Sequence, residues 1–183
     1  HCASWGCLKM AACNVKSVQV KQEAKWSEEM VFSIILDVAS ELPDDICCKC
    51  FFTMDAWDLD KDTELEACDI GDGPGLQKGL LKFDLPVQAP SKTMIEAAGV
   101  LEVTVLYISF LYRGTEFHRT GYYVRHEYES PEMQENPPAD VDWDHLRRVL
   151  SDPRIVSYPM DWGLGAEEAP PVQPESEERS PKR

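Results

Sequence analysis

LEVTVLYISFLYRGTEFHRTGYYVRHEY, Leu101 to Tyr128, is the stretch on which the fold turns. Its first part, Leu101 to Tyr112, is apolar on both strand parities. Leu101, Val103, Val105, Tyr107 and Leu111 point one way, and Leu106, Ile108, Phe110 and Tyr112 point the other. An antiparallel strand usually buries one face and wets the other. A strand apolar on both faces is either sandwiched in a core or keeps one face for a partner. Arg113-Gly114 turns the chain, and Phe117 to Tyr128 returns with Arg119 and Tyr123 on one parity. Arg and Tyr at alternate positions suit a recognition surface better than a core. On parity alone, an internal core stays open for Val103, Val105, Arg119 and Tyr123.

Working outward, Val15 to Val20 reads as a short strand and Met30 to Ala39 as a stronger one, with Met30, Phe32, Ile34, Leu36 and Val38 on one face. Glu41-Leu42-Pro43-Asp44-Asp45 is a polar turn before a third strand, Ile46 to Met54. Asp55 to Gly75 is an acidic segment closing on Gly71, Gly73, Pro74 and Gly75, residues of tight turns. Leu80 to Leu85 is a strand stopped by Pro86, and Glu116 to Arg125 pairs back on Leu101 to Tyr112. Pro131 to Pro138 is a loop or a single helical turn. Asp142 to Leu150 is predicted as a short helix, with Trp143, Leu146 and Leu150 on one stripe, and Ile155 to Trp162 as the last strand. Short strands separated by turn signals predict an all-β sandwich.

At 183 residues the chain is expected to hold one domain with a sizeable core. Residues 10–163 are read as that domain. Residues 1–9, HCASWGCLK, lack a long apolar run and are read as an upstream remnant, with Met10 the start. Residues 164–183 are Pro/Glu/Ser-rich and read as a disordered tail. The formal charge is −15, from 33 acidic and 18 basic residues. The tail carries five Glu against Arg179, Lys182 and Arg183, so most of the acidity lies in the folded part. Such a field disfavours nucleic acid and anionic membranes and favours basic partners. Seven cysteines are an odd number, and neighbours such as Cys47 and Cys48 on a strand point to opposite faces. The pattern suits a reducing compartment.

Catalytic and metal chemistries find little support. Asp58, Asp60, Asp62 and Asp69 meet calcium-loop spacing, but Thr63 stands where the sharp turn needs Gly, and a strand rather than a helix precedes. Cys47-Cys48-x-Cys50 is not a zinc spacing. No nucleophile elbow is present, and Gly71-Asp72-Gly73-Pro74-Gly75 lacks the Lys of a phosphate loop. Neither an enzyme nor a cofactor is expected.

The same hairpin carries a resemblance. LYRGTEFHRTGYYVRHEY, then ENPP at Glu135 to Pro138, DWDHLRRVL, and PRIVSYPMDW at Pro153 to Trp162 resemble the anti-silencing-function histone chaperone family. Weaker agreement runs back through ELPDDICCK to about Val15, so the likeness covers roughly residues 15 to 162. Met54 to Ala98 diverges. Near the matched positions, Cys47 and Cys48 replace a family Glu and Trp, Thr53 a Val, and Trp57 and Gly99 acidic residues.

The resemblance implies an immunoglobulin-like sandwich with short helices in its connecting loops. It implies a monomeric, non-enzymatic chaperone of a histone H3–H4 dimer in the nucleus, with a cytosolic pool. Val103, Val105, Arg119, Tyr123 and Asp62 match positions that receive histone H3 and so block the tetramer. Pro153, Arg154 and Val156 match the place where the histone H4 tail is captured as an added strand, although the family usually has Thr at Val156. Asp44 and Asp45 match an acidic pair that holds B-domain-type peptides of deposition factors. No direct nucleic-acid contact, membrane contact, metal or cofactor is implied. The alternative is a β-sandwich interaction module for basic non-histone partners.

Overall fold

The computed structural model describes residues 11–54, 62–71 and 73–164. The remnant 1–9, Met10, the acidic-loop residues Asp58 and Asp60, Trp57 and the tail from residue 165 onward lie outside the described residues.

Among the described residues, ten strands form two antiparallel sheets. They are β1 (Cys13–Gln19), β2 (Glu23–Lys25), β3 (Met30–Val38), β4 (Ile46–Thr53), β5 (Thr63–Ile70), β6 (Gly79–Val87), β7 (Thr104–Tyr112), β8 (Thr115–Tyr128), β9 (Leu146–Leu150) and β10 (Arg154–Ser157). The small sheet runs β1-β3-β6; the large one runs β2-β9-β8-β7-β4-β5, with β10 also on β8. Two short helices, α1 (Lys92–Ala98) and α2 (Pro131–Glu135), sit in connections. Ser91 and Ser130 cap them, their side chains accepting from Met94 N and Met133 N. This is the all-β sandwich that the spacing of strands and turns predicts.

The hydropathy pattern explains the layers. Met30, Phe32, Ile34, Leu36 and Val38 of β3 are all buried, while the residues between them are not. They face Leu106, Ile108, Phe110 and Tyr112 of β7, which are fully buried. Cys48 and Cys50 of β4 join the same core. Arg113 and Gly114 make the two-residue hairpin turn with φ of 50° and 76°, and Tyr112 pairs with Thr115 across it. Two successive left-handed residues give the turn whose twist matches that of the strands, and Gly at the second position relieves the strain.

Four expectations need correction. Residues 142–150 are not a helix: Asp142 caps a single 3-10 turn, Trp143–His145, and Leu146–Leu150 is a strand. Leu146, Arg148 and Leu150 point inward at a period of two, opposite Tyr128, His126 and Val124. A buried Arg in the middle hid that period. Arg148 is fully buried because its Nη1 donates to Trp26 O at 3.2 Å and Glu28 O at 2.9 Å. Pro86 does not stop β6, which continues to Val87 with Pro86 opposite Val31. Among the described residues β6 pairs only with β3, and an edge strand tolerates the missing donor. The acidic segment contains a strand, β5. The last strand ends at Ser157, after which Trp162 anchors the chain against Phe117 and Tyr112, ring centroids 5.0 and 5.5 Å away.

Candidate functional site

Strands β4, β7 and β8 lie side by side, and residues opposite one another share a face. Across the outer face run three rows: Thr53–Val105–Tyr123, Phe51–Tyr107–Gly121 and Lys49–Ser109–Arg119. Val105 is half-buried, Tyr123 is 43% exposed, and Val103, just ahead of β7, is 53% exposed. The solvent-facing alternative is therefore the one the fold adopts for Val103, Val105 and Tyr123.

The middle of the face is polar and stiff. Glu116 accepts from Arg119 Nε and Nη2, both at 2.8 Å, and from Ser109 Oγ at 2.6 Å. The fork-like pairing fixes the guanidinium, which lies 4.4 Å over the Tyr107 ring, and Tyr107 stacks on Phe51 at 5.1 Å. The Glu116 hydrogen bond holds Arg119 above the ordinary guanidinium range. The Tyr107 hydroxyl donates to Asp62 Oδ2 at 2.5 Å; burial first, and then this bond, push its ionisation upward. Among the described residues, the other oxygen of Asp62 is buried without a partner. Asp62 and Asp69 stand at opposite ends of β5, about 23 Å apart by strand rise. No group of three or more His, Cys, Asp or Glu converges for a metal among the described residues.

Beside this face lies β10. Val156 stands opposite Arg119, and Arg154 opposite Gly121. Arg154 crosses the bare glycine and sets its guanidinium 5.1 Å over the Tyr123 ring. All four residues of β10 are exposed, as is Pro153 before it. The two expected histone sites therefore share strand β8 and touch through Arg154 and Tyr123. Sequence spacing does not show this, because 31 positions separate the partners and only the ladder brings them together.

Asp44 and Asp45 immediately precede Ile46, the other end of β4, which lies seven residues or about 24 Å along the strand from the Val105 row. They diverge. Asp44 is exposed and accepts from Arg113 Nε of the hairpin turn at 2.5 Å. Asp45 is half-buried and accepts from Gly75 N at 2.8 Å. A Cβ at Gly71 would meet the Asp45 carboxylate at 2.1 Å, so this turn requires a bare backbone. Next to Asp45 opens a groove of about 430 Å³ between the edges β5 and β6, lined by Cys68, Ile70, Leu76, Leu80, Leu81 and Phe83. The sequence reading missed it. Its one signal was Leu80, apolar yet 74% exposed, beside inward Leu81 and Phe83.

The family model described as "ASF1 like histone chaperone" matches residues 10–163. The "Histone chaperone ASF1" of Mycosarcoma maydis is 35% identical over 156 residues, covering 84% of this chain and 88% of that one. The protein of that name from Candida albicans is 38% identical over 157 residues, 83% of this chain and 62% of that one. The one from Saccharomyces cerevisiae is 36% identical over 155 residues, 82% of this chain and 54% of that one. The chain thus spans little more than half the length of the last two relatives.

Proposed function

Because the chain belongs to the family of ASF1-like histone chaperones, we propose that it binds a histone H3–H4 dimer on the outer face of β4, β7 and β8 and keeps two dimers from joining. The family is one of binding proteins, not enzymes, and histone chaperoning sets its work at chromatin, in the nucleus. A cytosolic pool and a monomeric state belong to the proposal.

The observation that carries the reading is the outer face itself. Exposed Val103 and Tyr123 flank Val105, with Arg119 held by Glu116 beside them and the carboxylate of Asp62 at the margin. A basic amphipathic helix carries apolar side chains and cations on adjacent stripes. The valines and Tyr123 take the first and Asp62 the second, while a net charge of −15 steers the encounter. The H4 tail adds to β10 as a further strand at Pro153, Arg154 and Val156. Support comes from the ladder: among the described residues β10 pairs only with β8, which leaves its outer edge to template a partner. A basic B-domain-type peptide is the occupant we assign to the turn at Asp44 and Asp45, where exposed Asp44 offers charge, and to the groove next to Asp45, where Leu80 offers apolar contact.

Light scattering on the complex tests the main claim. One copy of the chain with one H3–H4 dimer is expected; an H3–H4 tetramer in the complex would overturn it.

A further inference from the structure

Cys48 of β4 stands directly opposite Cys68 of β5, and both are free thiols. Cys48 is fully buried, whereas Cys68 is half-buried and lines the groove between β5 and β6. As directly opposed residues, the two side chains project from the same face of the sheet. Cys47 points to the opposite face, paired with Asp69, and does not compete for this contact. We propose that Cys48 and Cys68 form a redox-active dithiol. A hydroperoxide reaching the groove oxidises Cys68, and Cys48 then closes a cross-strand disulfide that locks edge strand β5 onto β4.

Directly opposed residues of an antiparallel pair have Cα atoms about 4.5–5.5 Å apart, within the roughly 4.4–6.8 Å span of disulfides. The roles follow from the thiol pair. The neighbouring Cys48 thiol holds Cys68 below the usual thiol range, while Cys68 and then burial push Cys48 upward. The more exposed sulfur is thus the better nucleophile. Its thiolate attacks the peroxide; the O–O bond breaks, an alcohol or water leaves, and Cys68 becomes a sulfenic acid. The Cys48 sulfur then attacks the Cys68 sulfur, the S–O bond breaks, and water leaves with the Cys48 proton. Two thiols are oxidised by two electrons and one peroxide is reduced. The link joins β5 to β4 at the groove end of β5, and it depends on neither the histone nor the peptide reading.

The test uses the full reduced chain treated with hydrogen peroxide, alkylated, digested and mapped without reductant. A Cys48–Cys68 linked pair is expected, reversed by dithiothreitol, retained in Cys47→Ser and absent in Cys68→Ser. The oxidised chain should melt roughly 5 °C or more above the reduced one, and Cys68→Ser should abolish that difference. A link that disappears in Cys47→Ser, a Cys68 that stops unlinked at the sulfinic acid, or an unchanged melting temperature would each overturn the proposal.

Discussion

Strand β7 carries Leu106, Ile108, Phe110 and Tyr112 on one face and Val105, Tyr107, Ser109 and Leu111 on the other. By composition the two faces differ little. The first is fully buried against the small sheet, while the second is overlaid only in part, by side chains of its own sheet. The inner face gains stability from burial in every row. On the outer face apolar contact is left incomplete at Val105 and Tyr123, and polar groups are paired where cover is thickest, at Tyr107, Arg119 and Glu116. The difference separates residues that make the fold from residues it leaves for a partner.

The largest expected effect lies inside. Phe110→Ala removes a ring packed 6.4 Å from Phe117 and 5.6 Å from His118. It should lower unfolding free energy by about 3–5 kcal/mol in denaturant titration. A loss under about 1 kcal/mol would mean that the inner face is not the core the packing describes.

Next comes the pH response of the inner face. Burial, and secondarily the Arg148 charge, hold His126 down to about 4. Its Nε2 has no partner among the described residues. The unfolded chain takes up this proton near pH 6.5, but the folded one only near 4, so the folded state falls behind as pH drops through that window. Above about pH 6.5 the group contributes nothing pH-dependent; by about pH 4 it has removed roughly 3 kcal/mol. Denaturant titrations across this range on the parent and on His126→Gln read the term. Identical pH slopes would assign the titration to other groups.

Outside, Val105→Arg should leave circular dichroism and melting unchanged and lower H3–H4 affinity by roughly 2 kcal/mol or more. An unfolded variant would erase the contrast between the faces, and a folded one that binds normally would move the histone site elsewhere.

The smallest effect sharpens the comparison at two adjacent carboxylates. Asp45→Ala leaves Gly75 N–H without its acceptor and should lower stability by about 1 kcal/mol. Asp44→Ala should leave melting unchanged yet weaken a B-domain-type peptide in a salt-sensitive way. Neither should alter H3–H4 binding. Peptide affinity equal to the parent's in both variants would remove the pair from that site.

Much of the fold was legible because strands with one buried face print a period of two, as β3 does from Met30 to Val38. Legibility failed where that period was masked. At 142–150 the inward position held Arg148, whose burial depends on Trp26 and Glu28 carbonyls more than a hundred positions away. At β5 the outward residues include Glu64 and Asp69 and the inward ones Glu66 beside Cys68, so the strand resembled a loop. The candidate histone residues were legible through the hairpin motif and its likeness to a family. The groove beside Asp45 was not, since it lies between the edges of two different sheets.

By itself the sequence determined the sandwich, the hairpin turn and the acidic character, because backbone conformation, alternation and net charge are local or additive properties. Only the tertiary structure decided which face of β7 is covered, that Arg154 reaches Tyr123, that Asp44 and Asp45 part company, and that Cys48 meets Cys68. Each of these rests on strand order and register, which arise when distant segments compete to bury surface, and neither is written in any one segment.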